Sequence, residues 1–173
     1  ISILSTTQVS SLTSTQFGAL SVAQIGALSA TAAGALTTTE LSALSASQVK
    51  GFSTSAVGVL NTTQLTSFTT TQFAALTTDQ LSRLETADLR AVTTNALRGL
   101  SSDQIDALTA TQLAGLSASQ IGALSATGVA GLTTTDITAL TVTQVAGLGA
   151  TALAALSTGQ LGVLSTTQVA ALS

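Results

Sequence analysis

The chain contains no cysteine, histidine, methionine, proline, tryptophan or tyrosine, and its aromatic residues are four phenylalanines. Without histidine there is no ordinary general base, without cysteine no thiolate nucleophile, and without tyrosine no phenolic acid. Soft metal ligands are missing too. Most catalytic chemistry is thereby removed. Neither an enzyme, a cofactor nor a small-molecule substrate is expected, and no residue is nominated as catalytic, cofactor-binding or metal-binding. The seven acids are scattered and do not form the Asp- and Gly-rich ligand sets of calcium-binding repeats.

Charge is scarce as well. Four basic residues stand against seven acidic ones, 6% of 173 residues in all. Four cations cannot track a phosphate backbone, and no aromatic platform is available for stacking bases, so nucleic acid is not an expected partner. Long apolar runs are also missing. Mean hydropathy is +0.58, yet Ser, Thr or Gln interrupts every few positions, and no run approaches the roughly 18 residues of a membrane span. There is no signal peptide at the start and no initiating methionine. The chain begins at Ile1 and ends at Ser173 inside its own pattern, as a piece of a longer polypeptide or a processed product would. The absence of cysteine leaves the redox compartment open, and the few Lys and Arg suit an exposed extracellular material.

What is there is one eight-residue unit, written twenty-one times without an insertion or deletion from Ser5 to Leu172. Clear copies are Thr69-Thr70-Thr71-Gln72-Phe73-Ala74-Ala75-Leu76 and Ser117-Ala118-Ser119-Gln120-Ile121-Gly122-Ala123-Leu124. Ile1 to Leu4 read as the tail of a preceding copy. Place one is Ser or Thr in eighteen copies, the others being Asn61, Glu85 and Gly149. Place four is Gln in thirteen, and Glu40, Asp88 or Asp136 in three more. Place five is always apolar. Place eight is Leu except at Phe52, Phe68 and Val92, and place seven is mostly Ala or Gly.

Ser/Thr followed three residues later by Gln/Glu is a capping box. The Leu that closes one copy and the apolar place five of the next stand at the two positions of a hydrophobic staple. Each octad thus carries a whole helix-start signal, with only four residues left before the next cap. The charges agree: most acids fall early in the octad, while Lys50, Arg83, Arg90 and Arg98 fall at places six or seven, as a helix dipole favours. One continuous helix fails, because eight residues turn it by about 800° and the apolar pair drifts about 80° per copy. The expected fold is all-α: a repeat solenoid of very short capped helices, one per octapeptide, forming a single domain over 1–173. The alternative is a β-solenoid, since Thr, Val and Ile favour strands, although places six to eight lack strand alternation. Glu40, Asp88 and Asp136 lie 48 residues apart, which fits either two or three octads per superhelical turn.

The octad L-[ST]-x-x-Q-[VIL]-x-x-L, seen in Leu108-Thr109-Ala110-Thr111-Gln112-Leu113-Ala114-Gly115-Leu116, resembles repeat arrays in very large bacterial secreted or cell-surface proteins. The resemblance covers almost the whole chain. It implies an extracellular stalk, adhesin segment or fibre at the cell surface, and transfers no site residues. A structural role follows as the expectation, with self-association, end-to-end or lateral, because solenoid ends without polar caps are sticky. Two other readings stand beside it. The charged stretch 79–106, with Asp79, Arg83, Glu85, Asp88, Arg90, Arg98, Asp103 and Asp106, is a recognition patch or a solvated face. Thr-x-Thr pairs such as Thr37/Thr39 and Thr141/Thr143 are helix caps or, on a β-solenoid, ranks of an ice-binding face.

Overall fold

The computed structural model describes residues 5–172; the reading of Ile1 to Leu4 as the tail of a preceding octad lies outside them. Each octad forms one helix of four to six residues, twenty-one in all, from α1 (Thr6–Ser10) to α21 (Thr166–Ala170). No strand occurs among the described residues, so the β-solenoid is set aside and the all-α reading holds. Eight-residue periodicity becomes helix because every start is locally sealed. At Ser5 the cap backbone is extended (φ −68°, ψ 162°), its hydroxyl accepts from the Gln8 N–H, and the Gln8 side chain returns to the Ser5 N–H at 2.9 Å. The first turn closes with Val9 N–H donating to Ser5 C=O at 3.0 Å. The last tightens to a three-residue step, Leu12 N–H to Val9 C=O at 3.1 Å. Glu85 and Gly149 are the two caps that make no side-chain bond.

Helices three apart in the chain pack on one another and define the stacking. α3 (Val22–Gly26), α6 (Ala46–Lys50), α9 (Thr70–Ala74), α12 (Thr94–Arg98), α15 (Ala118–Gly122), α18 (Val142–Ala146) and α21 form one column by successive contacts. Two parallel columns start from α1 and from α2 (Ser14–Gly18). Three octads therefore make one coil of 24 residues, which resolves the choice left by the 48-residue spacing of the acids. The coils enclose one continuous apolar core built from places five and eight, including Phe17, Leu41, Phe73, Leu97, Ile121 and Val145. The core has a direction. In the first coil, place five is fully covered, at Val9, Phe17 and Ile25, whereas in the last, Leu161 is 43% and Val169 53% exposed. Place five is thus covered by the coil that follows it.

Glycine serves close approach here rather than chain reversal, since none of the described residues has a positive φ. A Cβ on Gly122 would run into the Gly147 carbonyl of the coil above, and one on Gly147 into the Ala118 carbonyl of the coil below. Where places six and seven of stacked octads meet, bare backbone lets coils sit close enough for the bonds described next.

Candidate functional site

The capping box uses only one end of each glutamine amide. In the octad of Gln72, Oε1 accepts from the Thr69 N–H at 2.8 Å and the Thr69 hydroxyl accepts from the Gln72 N–H at 3.2 Å. The other end, Nε2, crosses to the coil below and donates to the carbonyls of Leu44 at 2.7 Å and Leu41 at 2.9 Å. Those carbonyls belong to the C-terminal end of an earlier octad, where helix geometry leaves acceptors short of donors; Leu41 C=O accepts the Leu44 N–H at 3.2 Å, and Leu44 lies beyond the last helical residue, Ser42. A single side chain therefore satisfies the start of its own helix and the end of another, 28 residues back.

Ten glutamines repeat this rung with the same 28-residue offset: Gln48 to Leu20, Gln64 to Leu36, Gln72 to Leu44, Gln80 to Phe52, Gln104 to Leu76, Gln112 to Leu84, Gln120 to Val92, Gln144 to Leu116, Gln160 to Leu132 and Gln168 to Leu140. All ten are buried. Burying an amide costs several kcal/mol when it is unpaired and little when it is fully bonded, so the rungs are permitted by their geometry and in turn fix the vertical register of the coils. Gln8, Gln16 and Gln24 form the same boxes but lie exposed in the first coil.

The three columns differ in this place. The column of α3 carries Gln24, Gln48, Gln72, Ala96, Gln120, Gln144 and Gln168. The column of α1 carries Gln8, Ala32, Ala56, Gln80, Gln104, Gly128 and Ala152, so small residues fill four of its seven places. The column of α2 alternates: Gln16, Glu40, Gln64, Asp88, Gln112, Asp136, Gln160. Glu40 and Asp136 keep the capping box, while Asp88, behind the uncapped Glu85, does not. Asp88 instead accepts the Thr62 hydroxyl at 2.6 Å. Glu40 is buried, and its Oε1 has no hydrogen-bond partner.

The charged stretch 79–106 is not gathered into one patch. Its octads wrap more than a full coil. Arg83 lies in an open hollow beside Ala30, Thr54 and Val59 on the α1 column. Arg98 lies beside Ala118, Ser119 and Gly147 on the α3 column, and Arg90 belongs to the α2 column. The place-one threonines of the Thr-x-Thr pairs Thr37/Thr39 and Thr141/Thr143 are caps, with Thr37 and Thr141 accepting from the N–H groups of Glu40 and Gln144. No helix among the described residues is long and apolar enough to cross a membrane.

The second role of glutamine was not found from the sequence, although a signal for it existed. A capping box works with Glu as well as with Gln, yet Gln holds this place in thirteen copies and Glu in one. Only the amide has both an acceptor for the box and a donor to spare.

Similarity to known families fits this picture. No curated protein matches the chain significantly. Two stretches, residues 1–30 and 81–118, match the model of the ALTTAQ repeat, and it is to that repeat family that the chain is similar.

Proposed function

We propose that the chain is a structural shaft, a solenoid rod that serves as spacer or fibre segment in an extracellular filament or a long bacterial surface protein. One observation carries this reading. The same rung and the same core contacts join each coil to the one before it, so the molecule extends by adding identical coils. Its size and strength then scale with repeat number, as in other solenoids. The role is mechanical rather than catalytic. The outer positions are mostly Ser, Thr, Ala and Gly with few charges, a surface that offers little repulsion to lateral packing with its own kind.

The test is insertion of chain between Leu124 and Ser125. One added set of three octads should lengthen the particle seen by small-angle scattering and electron microscopy by one coil, with no loss of thermal stability. Four added residues should collapse the rod into a kinked or partly unfolded particle. Compact particles whose maximum dimension ignores the added coil would sink the shaft reading.

A further inference from the structure

In ten copies the atom facing the carbonyls of the coil below is an amide nitrogen that carries two protons. In the octad of Thr37 it is an oxygen. Glu40 is 3% exposed, and its Oε2 accepts from the Thr37 N–H at 2.7 Å and from the Thr37 hydroxyl at 2.8 Å. Its Oε1 is buried without a partner. The offsets of 28 and 30 residues seen at Gln48 put the carbonyls of Leu12 and Ser10 opposite that oxygen. Acceptor faces acceptor in a place shielded from water. A carboxylate there is costly unless a positive charge lies between the oxygens.

Asp136 repeats the capping box four coils further along the same column. It is 8% exposed, and its Oδ2 accepts from the Thr133 N–H at 2.9 Å and the Thr133 hydroxyl at 2.6 Å. Its other oxygen is not buried without a partner as Glu40 Oε1 is, so the clash of acceptors is particular to Glu40. Asp88, between the two, differs because its Oδ1 already receives the Thr62 hydroxyl.

We propose that Glu40, with the carbonyls of Ser10 and Leu12, holds a hard metal cation of sodium or calcium type. One carboxylate and neutral carbonyl oxygens are the ligand set that hard cations take, and nitrogen or sulfur for softer metals is lacking. The ion does between oxygens what the amide protons do at Gln72. It ties α5 (Thr38–Ser42) to the octad of α1 in the coil below, and the proposal stands whether or not the chain is a shaft.

The experiment titrates calcium chloride, and separately sodium chloride, into the full chain in chelator-treated tetramethylammonium buffer, by calorimetry and by thermal melting. Saturable binding at one site with a rise in Tm is expected for one of the two salts. Both effects should vanish in the variant Glu40→Gln, which restores the residue most copies already carry and so keeps the fold. Absence of saturable binding overturns the proposal, as does a rise in Tm that persists in the variant. A variant more stable than the parent by the same margin with and without salt also overturns it, because a proton then serves the buried carboxylate.

Discussion

The α3 and α2 columns share staple and core and, α11 (Thr86–Ala91) apart, a side-chain cap, and differ in the end of the place-four side chain that faces the next coil. Along the α3 column, six of seven copies carry Gln at place four, and from the second coil onward all but Ala96 reach down to the coil beneath. Along the α2 column every second copy is an acid, and the cross-coil donor is missing there. Helices form equally well in both, because the capping box at Glu40 is as complete as that at Gln72. The difference teaches that helix formation and coil stacking are separable properties of the same residue. Oxygen at one end of the side chain makes the helix, and nitrogen at the other end binds the helices into a rod.

Substitutions can break that separation or sharpen it. The largest effect is expected from Gln72→Ala, which removes the box, leaves the Leu44 carbonyl buried without the Gln72 donor and strips one donor from the Leu41 carbonyl; a loss of about 2–4 kcal/mol should appear in equilibrium urea unfolding of the full chain. In cation-free buffer, Glu40→Gln turns an acid rung into an amide rung and should gain about 1–3 kcal/mol by the same measurement. Glu85→Ser supplies the cap that α11 (Thr86–Ala91) lacks and lets Asp88 close a box as Asp136 does; a gain of about 1 kcal/mol is expected, visible as added helical ellipticity and a higher Tm. The smallest change should follow Gln24→Ala. That side chain forms its box with Ser21 but lies exposed, so only about 0.5–1 kcal/mol of capping is lost. Equal costs for Gln24→Ala and Gln72→Ala would erase the distinction between capping and stacking.

The helix-per-octad fold was legible because all its signals are local. Cap, box and staple lie within nine residues, and the early acids and late bases agree with them. The threonines that tempted a β reading are explained by the same caps. Three octads per coil was only narrowed from the sequence, by the spacing of Glu40, Asp88 and Asp136; choosing it requires knowing which helices touch. The cross-coil rung was hidden for the same reason, since Gln72 and Leu44 meet only when the coil closes. The stretch 79–106 misled in the opposite sense. Neighbours along the chain, Arg83, Arg90 and Arg98, sit on three different columns once the chain winds. Glycine was read simply as part of a small place seven, whereas Gly122 and Gly147 are small because backbone of a neighbouring coil occupies the space a Cβ needs.

Every rung runs from a later residue to one 28 positions earlier, never the reverse. A ribosome or an export channel releases the chain in that same order. Each emerging glutamine therefore meets acceptors that have already left the exit, and a coil can lock down before the next one appears. Assembly by this route is a ratchet, one amide per step, and a chain with such rungs needs no distant partner segment to wait for while it is being made.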